Sequence, residues 1–153
     1  MISSVHLANE YICNVHHSAN YSTLFFGALN PASGLLRYIV AGHEKPVVLH
    51  TSGKTTELQG TGPVVGLLEQ AEFRAEQFLM EDGDLLLVYS DGFIDVQNPN
   101  GEMFGRERLL SLLSGVSGSA QSFVNDILRK VSAFTQDASQ YDDMTMLAVR
   151  RRG

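Results

Sequence analysis

A chain of 153 residues is long enough for one domain with a real core, or for part of a larger one. With 44% hydrophobic and 18% charged residues its composition is that of a soluble globular protein. The formal net charge of −6 argues against a nucleic-acid backbone as ligand, because that affinity comes from clustered Lys and Arg.

Cys13 is the single cysteine, so no internal disulfide forms, and a lone thiol suits a reducing compartment. Its expected role is helix packing. No apolar stretch reaches the ~18 residues of a membrane span, and Met1–His6 lacks the basic start and apolar block of a signal peptide. The expectation is a cytoplasmic protein with neither a membrane nor a nucleic acid as partner.

From Val5 to His17 the residues Val5, Ala8, Tyr11, Ile12 and Val15 recur at helical spacing, which predicts a one-faced helix capped by Ser3 or Ser4. His16 and His17 are adjacent and diverge on a helix, so they read as surface or helix-end histidines. Thr23–Leu29 and Leu35–Ala41 are rich in β-formers and flank the turn cluster Asn30–Gly34, predicting a hairpin. Val47–His50 and Thr55–Leu58 read as two more strands of a meander. Val64–Leu68 is a short buried stretch or a turn against the core. Phe73–Met80 reads as a strand that the turn Glu81–Asp84 would pair with the next one.

That next strand, Leu85–Tyr89, is a continuous apolar run, the pattern of a strand buried on both faces, and it delivers Asp91 into a break at Gly92. An aspartate there is either a turn former or a ligand on a rigid support. After the turn Asn98–Gly101 come two helices, Arg106–Leu113 and Gln121–Phe134. The second carries an apolar stripe of Phe123, Val124, Ile127, Leu128, Val131 and Phe134. Asp142-Asp143 then opens a last central strand, Met144–Val149, and Arg150–Arg152 reads as a solvated tail. No repeat, low-complexity segment or linker interrupts the chain, so residues 1–153 read as a single domain.

If the strands that end at Asp91 and begin at Asp142 are antiparallel neighbours, their carboxylates meet at one sheet edge. Convergent carboxylates repel unless protonated or bridged by a cation, and hard oxygen donors suit magnesium or manganese. Such ions activate water and neutralise a phosphate under attack. Two acidic strand ends are otherwise simply hydrophilic turns.

Four segments, Ala41–Pro46, Gly83–Phe93, Gly101–Leu109 and Asp142–Thr145, occur in an order and spacing that resemble the stage II sporulation protein E and RsbU-like branch of the PPM metal-dependent serine/threonine phosphatases. The resemblance implies an α+β fold, a layered α-β-β-α sandwich of antiparallel sheets flanked by helices. It implies Mn2+ or Mg2+ as cofactor, and hydrolysis of phosphoserine or phosphothreonine on a regulatory protein such as an anti-sigma-factor antagonist. Carried over, it makes Asp91 and Asp142 metal ligands, gives Asp143 an orienting role, and lets Gly92 permit close approach to the metal shell. His43 matches a glycine-histidine loop and is read as a structural turn residue. No residue is assigned as catalytic acid or base.

The family's upstream Gly-Asp motif, whose aspartate bridges two metals, has no counterpart here, because Gly83-Asp84 occupies a turn. The expectation is therefore an N-terminally truncated domain with an incomplete metal site and impaired activity. A shortened sheet would leave an edge for a second copy, a homodimer. The alternatives are a non-catalytic interaction module and a magnesium-dependent nucleotide hydrolase, the latter disfavoured by the lack of a P-loop pattern.

Overall fold

Seven strands and four helices follow one another in the computed structural model, which describes residues 1–15, 20–113, 118–136 and 142–152. In chain order they are α1 (Ile2–Val15), β1 (Leu24–Leu29), β2 (Leu35–Ala41), β3 (Val47–Leu49), β4 (Thr55–Glu57), β5 (Glu76–Leu79), β6 (Leu85–Tyr89), α2 (Gly92–Asp95), α3 (Arg106–Ser111), α4 (Ala120–Thr135) and β7 (Met146–Arg150). His16, His17 and Tyr141 lie outside the described residues. The α+β class with antiparallel sheets is the one observed: one sheet has the order β1-β2-β5 and the other β4-β3-β6-β7, and the five strand pairs within them are antiparallel. Among the described residues no helix is long and apolar enough to cross a membrane.

The chain divides into two units. The first, Met1–Lys45 with Leu58–Asp82, is built on the predicted β1–β2 hairpin. Its turn forms because the Asn30 Oδ1 accepts the backbone N–H groups of Ala32 (3.0 Å) and Ser33 (3.1 Å), the side chain imitating a backbone turn. Ile39 and Ala41 of β2 pack with Val5 of α1 and with Val65 and Phe73. The helix is rotated from its expected face. Val5 and Asn9 are buried, whereas Tyr11 and Val15 are 64% and 50% exposed. The cause is polar: Asn9 donates from Nδ2 to the Leu68 carbonyl (2.9 Å) and accepts the Gly66 N–H at Oδ1 (2.8 Å). These bonds anchor the helix to a loop whose backbone groups need partners, a demand that apolar periodicity does not register. Gly42, in the Ala41–Pro46 segment, has φ 62°, and a Cβ there would stand 2.8 Å from the Val64 Cα, so glycine is required.

The second unit, Pro46–Glu57 with Gly83–Arg152, is organised around β6. All five β6 residues are buried, and the strand lies between β3 and β7. Leu85, Leu87 and Tyr89 share a core with Phe93, Leu109 and the α4 residues Phe123, Ile127 and Val131. Those three α4 side chains are the buried part of the predicted stripe, and their burial contributes about 5–9 kcal/mol at most. α4 starts where the Ser119 Oγ accepts the Ser122 N–H at 3.1 Å. Arg106 of α3 donates to Glu57 of β4 at 2.9 Å.

Three expectations are corrected. β3 and β4 do not continue a meander from β2, since they belong to the four-stranded sheet. β5 pairs with β2, in the register Leu35 opposite Leu79, and not with β6. The polar Glu76 and Gln77 suit the edge position that β5 takes, while a strand buried on both faces needs two partners, which β6 finds in β3 and β7. The turn at Gly83 is tied instead to the end of the chain: the Gly83 N–H donates to the Arg151 carbonyl (3.1 Å) and the Arg151 N–H to the Asp84 carbonyl (2.9 Å). For the same reason Arg150 is no tail residue, because it ends β7 and its Nη1 donates to the Gly83 carbonyl at 3.2 Å.

Candidate metal junction

β6 and β7 pair in the register Leu85 opposite Arg150 through Tyr89 opposite Met146, so the end of one and the start of the other share a sheet edge. The pairing runs one step further. The Ser90 N–H donates to the Thr145 carbonyl (3.0 Å) while the Thr145 N–H donates to the Ser90 Oγ (3.0 Å). The Ser90 hydroxyl in turn donates to the Asp143 carbonyl at 3.1 Å. One serine thus fastens the backbone before Asp91 to the backbone carrying Asp142 and Asp143. Sequence reading passed over it.

Asp91 caps α2: its Oδ1 accepts the Gly92 N–H at 3.0 Å, and its carbonyl accepts the N–H groups of Ile94 and Asp95. The turn role and the ligand role are therefore not exclusive, since a capping carboxylate remains solvent-exposed. Gly92 is buried, and a Cβ built on it would lie 2.4 Å from the Asp143 carbonyl oxygen. Asp142 and Asp143 are exposed, and the Asp142 Oδ1 accepts the Asp143 N–H at 2.7 Å. The structure brings the segments of Asp91, Gly92, Asp142 and Asp143 together through backbone contacts.

The donor chemistry at this junction is carboxylate oxygen on water-exposed side chains. Among the described residues no three His, Cys, Asp or Glu side chains gather closely enough to hold one ion between them. Asp91 and Asp142 present hard oxygen donors. They fit magnesium or manganese, which is commonly held by one or two carboxylates with water completing the octahedron.

His43 lies away from this junction in sequence and in role: its Nδ1 bonds its neighbour's carbonyl, that of Glu44, at 2.9 Å, as expected for a turn residue. A second polar constellation was not anticipated. Asp84 is fully buried, both its oxygens lie 3.1–3.2 Å from the His50 Nδ1, and the His50 Nε2 lies 2.9 Å from the Thr56 Oγ1. It joins β3, β4 and β6 at the far end of β6, about 20 Å from Asp91 at the usual strand rise. Asp82-Gly83-Asp84 has the composition of a solvated turn, so only the 34-residue separation closed by folding reveals the pair.

Comparison with known proteins places these features in a wider set. The family model described as Stage II sporulation protein E (SpoIIE) matches residues 3–152. Protein IcfG of Synechocystis sp. is 38% identical over 152 residues, which is 98% of this chain and 24% of that protein. Phosphoserine phosphatase RsbU of Bacillus subtilis is 25% identical over 133 residues, 86% of this chain and 39% of its own length. The chain therefore spans between a quarter and two fifths of these relatives. Among solved structures, the manganese-presoaked phosphatase domain of the cell fate determinant SpoIIE from Bacillus subtilis superposes with a TM-score of 0.72 at 17% identity, covering 99% of this chain and 65% of that one. At that identity the likeness is one of fold.

Proposed function

This chain belongs to the stage II sporulation protein E family, and from that premise we propose that it acts on phosphoserine or phosphothreonine of a regulatory protein with Mn2+ or Mg2+ held at Asp91 and Asp142. The observation that carries the proposal is the β6–β7 register, which turns two acidic stretches some fifty residues apart into one exposed junction. In it Asp91 and Asp142 are the ligands, Asp143 orients its neighbour, and Gly92 gives the strand ends room to meet. A bound ion would lower the pKa of a coordinated water and neutralise charge on the phosphate. The protein's own contribution is placement: Ser90 locks the two backbones, and the α2 cap holds the Asp91 carboxylate at the strand end.

The name of one relative, phosphoserine phosphatase RsbU, supports this substrate class, and an anti-sigma-factor antagonist is the partner of this proposal. Two carboxylates hold an ion weakly, so the activity of this chain alone is low and needs manganese on the order of millimolar. The same scarcity of ligands among the described residues favours a second reading, a non-catalytic module that binds a regulatory protein.

Manganese-dependent hydrolysis of a phosphoserine peptide, with calorimetric titration of manganese, separates the two. Asp91→Asn and Asp142→Asn are each expected to lower manganese affinity and turnover at least about tenfold. Activity indifferent to both substitutions would remove the assigned roles. No heat and no turnover would leave the binding module.

A further inference from the structure

The junction has a neighbour that no part of the proposed chemistry uses. A hollow of about 390 Å³ lies beside α4, with Val96, Leu128, Val131 and Met144 as apolar floor and Ser132 and Gln136 at its polar rim. A second hollow of about 410 Å³ shares Leu128 and Ser132 and extends along α4 to Asn125 and Arg129. Sharing those two residues, they make one groove along α4, where Leu128 is 42% exposed.

Two of the floor residues are hung directly from the carboxylate junction. Met144 is two residues past Asp142, about 7 Å along extended chain. Val96 is the C-cap of α2, whose N-cap is Asp91, again about 7 Å away. The rim carries a second sign of function. Gln136, the C-cap of α4 at φ 49° and ψ −119°, is the one non-glycine residue with positive φ among the described residues, a strained conformation of the kind that concentrates at functional positions. Its amide offers both a donor and an acceptor beside an apolar floor.

Building on the phosphatase reading, we infer that this groove receives an apolar side chain of the phosphoprotein substrate, two or three residues from the phosphoserine, with Gln136 bonding the peptide backbone between them. An extended peptide covers about 7–10 Å over two or three residues, comparable with the chain spans that join Asp91 to Val96 and Asp142 to Met144. The continuity with Asp91 and Asp142 selects a substrate segment as occupant over an unrelated partner.

The test uses peptides with a non-hydrolysable phosphonate in place of the phosphoserine ester, each carrying one leucine within three residues of it, and reads affinity in manganese by fluorescence anisotropy. A leucine two or three residues away is expected to bind about tenfold more tightly than serine at the same place. Ser132→Trp, which fills the groove, and Leu128→Glu, which charges it, are each expected to erase that ratio while thermal melting shows a folded chain. Equal affinity for the leucine and serine peptides, or a ratio that survives both substitutions, overturns the inference. So does a dimer of this chain dispersed by Ser132→Trp, which would give the groove to a second copy. The leucine ratio also separates this inference from its premise. If manganese and the phosphonate matter but leucine does not, the groove assignment falls alone. If leucine matters while Asp91→Asn changes nothing, the metal assignment falls alone.

Discussion

The peptide carbonyl of Asp143 occupies the space in which Gly92 would carry a side chain, at 2.4 Å from the position of a Cβ. That approach is between two backbones, so neither side yields by a rotamer change. It makes the glycine of the Ser90-Asp91-Gly92 sequence a steric condition for the acidic junction. Gly92→Ala gains up to about 1 kcal/mol of helix propensity in α2 but forces the strand ends apart, and the overlap wins. A net loss of about 1–3 kcal/mol is expected in urea unfolding, together with weaker manganese binding; an alanine variant as stable as the parent would contradict it.

Ser90 is the hinge pin of the same junction. Its hydroxyl serves as donor to Asp143 and acceptor for Thr145, so Ser90→Ala removes two hydrogen bonds at once. The expected cost is about 1–2 kcal/mol. Hydrogen exchange at the Thr145 amide should speed up more than at Ala148, whose strand pairing with Leu87 is untouched.

At the opposite end of β6, the buried Asp84 depends on His50 for one of its partners. His50→Ala is expected to cost about 2–3 kcal/mol, below the usual range for breaking a buried pair because the imidazole is 23% exposed and water replaces part of it. Asp84→Asn keeps an acceptor for the imidazole N–H and should cost less than His50→Ala. Denaturant midpoints of the two variants decide this, and the reverse order would refute the assignment.

Tyr38 supplies a pH-dependent term. Its burial in β2 pushes the phenol above its ordinary value of 10.0, a backbone hydrogen bond at Gln59 pulls it down, and Glu76 pushes it up again from the facing position on β5. A raised folded-state value means that the folded protein favours the protonated phenol. This stability is complete below the unfolded value near 10 and is lost as pH rises through the higher folded value. Comparing urea midpoints at about pH 9 and about pH 11, Tyr38→Phe should lose less stability than the parent. In spectrophotometric titration the variant should show one tyrosine fewer than the parent in the late-ionising phase.

Much of this molecule is written locally. The β1–β2 hairpin, the continuous apolar run of β6, the α4 stripe and the turn at Asn98–Gly101 were legible because each depends on neighbours within a few residues, where side-chain period and turn chemistry act directly. The acidic ends at Asp91 and Asp142 were legible for the same reason, as breaks in apolar runs. Tertiary structure alone decided which strands are neighbours: β5 with β2, β3 with β6, and β6 with β7. An edge or a central place is set by how much surface a strand must bury on both faces, and that is a property of the whole sheet. It also decided the burial of Asp84 against His50 and of Asn9 against the Gly66–Leu68 loop. Both are short polar side chains in ordinary local settings, drawn inside because distant groups there needed a hydrogen-bond partner.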